Sequence, residues 1–362
     1  MKKFSQFFIF ACLLSTFLMS CADNSVDPSD FRAAELNLPE VPLDYVGEDF
    51  PDHFSSISFF DNTPQDNITT NDGATLGRVL FYDKKLSINN ATSCASCHKQ
   101  ELAYSDDTAF SPGFEGKLSS RNSMAIVNPR FSTTLMWDGA NMTLEEQALT
   151  PIQHQSEMGL EDLDDLVTKL QAIDYYPPLF EKAFGTSEIT VELVAKGLAQ
   201  FMRSLQCSQS KYDQGVNSDF ENFTSLQKMG KDLFESPANG CSNCHRSINF
   251  YYGSESNIGL TMDYTDEGKG NGQFRIPSVR NVALTGPYMH DGSLETLEDV
   301  VDHYNDGVQP HPFLDWRLKD NNGEPKKLNL SDLEKKALVE FLKTLTDENF
   351  ISDEKWSDPF KS

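Results

Sequence analysis

Apolar residues recur at helical spacing in three stretches of the chain. Leu163, Leu166, Val167 and Leu170 fall on one helical face, as do Leu193, Val194, Leu198, Phe201, Met202 and Leu205. Leu333, Ala337, Leu338, Phe341, Leu342 and Leu345 form the third stripe. Each predicts a helix with one face turned to a core. Thr143-x-x-Glu146, Thr224-x-x-Gln227 and Ser331-x-x-Glu334 have the form of capping boxes, in which two side chains satisfy backbone N–H groups reciprocally at a helix start. No run alternates apolar and polar residues long enough to predict a strand. Gly, Asn and Asp collect between the stripes, notably over 263–273, and predict loops. The expectation is a mainly α protein.

The N-terminus departs from this pattern. Lys2 and Lys3 precede an apolar run from Phe4 to Met19, too short to span a bilayer comfortably. Leu18-Met19-Ser20-Cys21 resembles a bacterial lipobox, so residues 1–20 read as a signal peptide and Cys21 as a lipidated N-terminus. Ordinary cleavage after Ala22 is the alternative. Residues 21–50 are polar and punctuated by proline, and read as a tether. About 340 mature residues suggest two domains, assigned to 51–210 and 211–362.

Charge narrows the partners. The chain has 55 acidic and 30 basic residues and a net charge of −25, which argues against nucleic-acid binding, since that needs a basic footprint. An acidic surface suits steering of a basic redox partner, and equally suits plain solvation.

The seven cysteines carry the chemistry. Cys94-Ala-Ser-Cys97-His98 and Cys241-Ser-Asn-Cys244-His245 are both CxxCH, the c-type haem attachment pattern. The two thiols add to the haem vinyls, and the adjacent imidazole reaches the iron. A zinc site would want further ligands nearby, and a redox CxxC has no need of the histidine. Two covalent haems follow, one per domain, with His98 and His245 as iron ligands. Cys12 lies in the leader and Cys21 at its end. The remaining Cys207 sits in an apolar helical pattern and reads as an inert buried thiol. Covalent haem and export from the cytoplasm agree with each other.

From Gly77 to Leu345 the chain resembles the bacterial di-haem cytochrome c peroxidase/MauG family. The blocks carrying the resemblance in the first half are Ser93–His98, Arg121-Asn122-Ser123, Trp137-Asp138-Gly139, Leu144–Ala148, Pro151-Ile152 and Glu157-Met158-Gly159. In the second they are Cys241–His245, Phe274–Asn281 and Ala283–Gly292. The resemblance implies two cytochrome c-like domains with a peroxide-reacting first haem. Gln147, Pro151 and Glu157 match residues on its distal face, with Glu157 moving a proton between the peroxide oxygens. Trp137 matches the tryptophan between the haems. Asn122, Thr285 and Pro287 match an oxygen-only calcium site. Arg275 and Arg280 are expected to pair with haem propionates.

Two departures place the chain within the family. Fourteen residues after His290, where classical members carry a methionine ligand, stands Tyr304, as in MauG. A short helix from Thr296 would present it to the second iron; Met289 and Met262 are the outside candidates. Sixteen residues after His98, Phe114 replaces a distal histidine, so the first haem is expected to be open. One MauG feature is missing: Asn239 stands where MauG has a surface-relay tryptophan, two residues before the second CxxCH.

The resulting expectation is a lipid-anchored cell-envelope peroxidase, periplasmic or on the outer membrane. It would use two haem c groups and one calcium ion, taking electrons from a small c-type cytochrome. A MauG-like oxidase of a protein or organic substrate and a non-enzymatic electron-transfer protein are the alternatives. Its contact with membrane is through lipid alone, and a homodimer stays open.

Overall fold

In a computed structural model that describes residues 36–47, 50–251 and 253–361, the chain is a succession of short helices joined by long ordered loops. α1 spans Asn71–Tyr82, α2 Cys94–Cys97, α3 Leu144–Gln153, α4 Leu163–Gln171, α5 Tyr176–Phe184 and α6 Val191–Ser204. α7 (Lys211–Gly215), α8 (Ser225–Glu235), α9 (Cys241–Cys244), α10 (Leu297–Asp302) and α11 (Asp332–Lys343) follow. Among the described residues the sheet content is one antiparallel pair, β1 (Glu255–Ser256) and β2 (Phe274–Arg275), with Glu255 opposite Arg275. The mainly helical fold is as the periodicity predicts.

The three capping boxes form at α3, α8 and α11, each with the serine or threonine oxygen accepting from the third residue's N–H. The three apolar stripes lie on α4, α6 and α11. α1 carries no stripe because every residue from Gly73 to Phe81 is buried. A helix buried all round has no polar face to set a period.

Leu36–Ser362 makes one compact unit built on two hydrophobic clusters. The first gathers α1, α3 and α6, with Leu76, Leu80, Ile152 and Phe201 fully buried. α1 crosses α6 so closely that a Cβ on Gly77 would stand 2.0 Å from the Gly197 carbonyl oxygen. The second gathers α8, α10 and α11, and a Cβ on Gly230 would stand 1.9 Å from the Ala337 carbonyl oxygen. Each half therefore rests on a helix crossing that only glycine admits. The chain then returns: Phe350 and Trp356 complete the first cluster, and Tyr82 Oη donates to the Trp356 carbonyl at 2.8 Å.

The tether expected over 21–50 is corrected for its described part. Leu36, Leu38 and Leu43 pack on the first cluster, Tyr45 is buried, and Asn37 N–H donates to the Pro359 carbonyl at 2.7 Å. These apolar residues between prolines have a surface to cover, the returning C-terminal segment. Cys21 and the leader lie outside the described residues. No helix among the described residues is long and apolar enough to cross a membrane.

Candidate functional site

Each CxxCH forms one helical turn, which puts both thiols and the histidine on one side. In α2, Ser93 and Ser96 cap each other, and His98 N–H closes the turn on the Cys94 carbonyl at 3.0 Å. His98 Nδ1 meets the Tyr104 carbonyl at 2.7 Å. In α9, His245 N–H bonds the Cys241 carbonyl at 2.9 Å, and His245 Nδ1 meets the Pro277 carbonyl at 3.1 Å. A carbonyl partner fixes the proton on Nδ1 and turns the Nε2 lone pair outward, as a ligating imidazole needs. Burial holds both imidazoles below the usual histidine range, His245 down to about 4, so both stay neutral.

Above α9 lies a cavity of about 240 Å³ walled by Cys241, Cys244, His245, Trp137, Arg275 and Tyr304. Tyr304 rides on a π-helical turn, His303–Gly307, that continues α10 from the Thr296 cap. The helix predicted from Thr296 is present, but its end widens to π geometry, a local change frequent at functional sites. Burial raises the Tyr304 phenol above its usual range, and the two nearby cysteine thiols add to this. Met289 also lines the cavity, whereas Met262 is 56% exposed.

The two arginines part company. Arg275 lines the cavity, lies over the Tyr251 ring at 4.8 Å, and has a buried Nε with no hydrogen-bond partner among the described residues. A donor left over in that position fits a propionate. Arg280 corrects the expectation. Its guanidinium is fully buried in a bidentate pair with Asp213, both contacts at 2.8 Å, while Nε and Nη2 also donate to the Ile248 carbonyl and the Cys207 sulfur lies within hydrogen-bond reach. His53 Nε2 shares the same carboxylate at 3.0 Å. Arg280 serves the packing beneath the site and has nothing left for a propionate.

Trp137 joins the halves. Its indole N–H donates to the Asn122 carbonyl at 2.8 Å, and its own carbonyl accepts from Arg275 N–H at 2.7 Å. Asn122 in turn donates its backbone N–H to the His290 carbonyl at 2.7 Å and its amide to the Thr108 and Ala109 carbonyls. That leaves the Asn122 Oδ1 as the end free to meet a cation. Asn122, Thr285 and Pro287 all line the cavity and offer neutral oxygens, a donor type that suits a hard ion. No group of three or more His, Cys, Asp or Glu gathers as metal ligands among the described residues.

Gln147 and Pro151 sit one turn apart on α3, and Pro151 lies inside the helix. Gln147 Nε2 approaches Met136 Sδ at 3.7 Å. The Pro151 carbonyl accepts from His154 and Met158, which folds the turn holding Glu157 back toward α2. Burial raises the Glu157 carboxyl, and the His154 charge opposes that shift. Burial raises the Cys94 and Cys97 thiols, and the Glu157 carboxylate is near enough to add to this. His154 Nδ1 stands 3.5 Å from Glu157 Oε1, a pairing outside the site expected from the sequence. The i,i+3 spacing was the available signal. Phe114 packs against Gly159 beside this turn, and a Cβ there would stand 2.6 Å from its ring. Cys207 is buried and its sulfur accepts from Asn281 Nδ2 at 3.2 Å, as expected of an inert thiol.

Two thiols and a neutral imidazole recur in one chain, the second set on the wall of a cavity, and these fit covalent haem twice. The family described as di-haem cytochrome c peroxidase matches residues 71–221. The MauG methylamine utilization protein of Methylophilus methylotrophus is 34% identical over 294 residues, covering 78% of this chain and 84% of that one. The cytochrome c551 peroxidase of Nitrosomonas europaea is 30% identical, covering 76% and 80%. A MauG-like protein associated with microbial copper homeostasis superposes with a TM-score of 0.74 at 33% identity, over 82% of this chain and 95% of that one. The chain belongs to the di-haem cytochrome c peroxidase and MauG family of oxidoreductases.

Proposed function

We propose that the protein reduces hydrogen peroxide with electrons from an external donor, a small c-type cytochrome. The observation that carries this reading is Glu157: a carboxyl raised by burial, close enough to the Cys94–His98 turn to act on its thiols, on a turn tied by hydrogen bonds to the Pro151 carbonyl of α3. Cys94, Cys97 and His98 would hold a haem, which would supply the iron and electrons for O–O cleavage. Glu157 takes the proton from the nearer peroxide oxygen and returns it to the farther one, which then leaves as water. Gln147 orients peroxide without ligating iron, and Pro151 keeps the distal wall apolar. Phe114 adds no ligand where a histidine would block access. Trp137 passes oxidising equivalents between the halves, 51–210 and 211–362.

In this reading Tyr304, which shares the cavity wall with His245, would be the second protein ligand of that haem iron. Its raised phenol keeps its proton unless a cation stands against the oxygen, so ligation and proton loss go together. Arg275 would hold a propionate, and Asn122, Thr285 and Pro287 would hold calcium. Cys21 carries the lipid, which keeps the enzyme in the cell envelope with the folded unit in the periplasm or at the outer membrane; a homodimer is compatible with all of this. A second reading, a MauG-like oxidase of a protein or organic substrate, is favoured by Tyr304 and by 34–35% identity to two MauG proteins, against 30% to the peroxidase. The absence of a tryptophan at Asn239 counts against it. Steady-state peroxide consumption with a panel of reduced c-type cytochromes tests the choice. Turnover with a cytochrome supports the peroxidase, and consumption only with an organic or protein substrate supports the oxidase.

A further inference from the structure

Beyond Trp137 the packed aromatic rings continue to the surface. Trp137 meets His290 edge to face at 6.5 Å, and His290 stacks on Phe274 at 3.6 Å. His290 lies 6.2 Å from Tyr264, Tyr264 lies 5.5 Å edge-on from His311, and His311 lies 6.0 Å from Phe313. All are within the range of direct ring contact. Phe313 is 53% exposed and Trp316, on the same loop, 79%. The loops carrying these rings are tied together: Asn257 Nδ2 meets His311 Nδ1 at 3.0 Å, and Asp315 N–H donates to the Asn257 carbonyl at 2.9 Å.

Of the four rings from Trp137 to His311, only the indole and the phenol lose an electron readily; neutral imidazole acts as packing between them. Tyr264 is half-buried and lines the same cavity as Tyr304. Its oxygen accepts the Leu260 N–H at 2.9 Å and lies 3.4 Å from Asn257 Oδ1. It is therefore held in place, with one edge near the cavity and the other near solvent.

We propose that Tyr264 is a redox relay through which oxidising equivalents generated in the protein reach the loop 311–316. The proposal rests on the peroxidase reading. Tyr264 gives one electron by way of His290 and Trp137, which removes one of the two equivalents left by peroxide, and gives its phenolic proton to water. The resulting phenoxyl takes back one electron from an external one-electron donor and one proton from water.

The test mixes the di-haem holoprotein with one equivalent of hydrogen peroxide, without donor, and freezes it for electron paramagnetic resonance. The wild type is expected to give a phenoxyl signal that narrows when its tyrosines are ring-deuterated. Tyr264→Phe is expected to lose that signal while keeping both haems and the resting spectrum. Tyr264→Trp, which retains an oxidisable ring, is expected to replace it with an indole radical. A phenoxyl signal of unchanged size in both variants, or none in a wild type whose haem bands do respond to peroxide, overturns the relay alone. Haem bands that do not respond to peroxide in the wild type overturn the peroxidase reading and the relay with it.

Discussion

The backbone N–H of Phe114 donates to the carbonyl of Glu157 at 2.7 Å. This bond ties the loop that lacks a distal histidine to the turn that carries the acid. Gly113 and Gly159 pack the two backbones so tightly that a Cβ on Gly113 would stand 2.3 Å from the Ser156 carbonyl oxygen. The position of Glu157 is thus set by main chain, and its side chain can be changed without moving the turn.

Glu157→Gln should fold, bind both haems and react slowly with peroxide. Removing a positioned proton carrier typically lowers a rate by 10²–10⁴-fold. Stopped-flow mixing with peroxide reads this directly, and a rate within about threefold of wild type would remove Glu157 from the mechanism.

The pH dependence follows from the direction of the Glu157 shift. Burial raises its pKa, and the His154 charge pulls it back down. The carboxylate is the form that accepts a proton, so the peroxide rate should fall as pH drops through the raised pKa. His154→Ala removes the opposing charge and should move that midpoint to higher pH. An unmoved midpoint would show that His154 and Glu157 do not act together.

Tyr304→Phe should open or re-ligate the second haem, and Tyr304→Met should raise its potential, since an oxygen ligand favours the oxidised iron and a thioether the reduced one. The wild-type ferric spectrum should lack the methionine–iron charge-transfer band. Its presence, or a spectrum unchanged in Tyr304→Phe, would return the second iron to methionine ligation, with Met289 the candidate on the cavity wall.

The two arginines should separate in opposite ways. Arg280→Met leaves the Asp213 carboxylate buried without its partner, and breaking such a pair typically lowers stability by about 3–5 kcal/mol. Denaturant unfolding measures it, and the spectrum of the surviving folded protein should be unchanged. Arg275→Met should shift the potential or spectrum of the second haem. Equal effects from both would mean that Arg275 does not meet a propionate.

Cys21→Ser should release soluble protein that still carries haem. Retention of that variant in the membrane fraction would point to an anchor elsewhere in the chain.

Much of the site is legible in the linear order of residues because its chemistry is local. A CxxCH needs one helical turn, and Cys94–His98 and Cys241–His245 each form that turn unaided by distant residues. The capping boxes at Thr143, Thr224 and Ser331 likewise span four residues, and the stripes on α4, α6 and α11 repeat with the pitch of a helix facing a single core. Where burial is complete the period disappears, which is why α1 leaves no stripe.

Contacts between distant segments carry no such trace. Arg275 and Arg280 are five residues apart and look alike in sequence. One reaches the cavity wall and the other a carboxylate on α7, because β2 ends between them and the chain turns into the packed layer below. Leu36 to Tyr45 read as linker until the C-terminal segment returns to meet them. The row of rings from Trp137 through His290 and Tyr264 to His311 draws on four separate loops. Residue type and spacing decide which groups can hold haem and move a proton. Only the folding of loops onto one another decides which of those groups meet, since pairing over such separations depends on shape and burial.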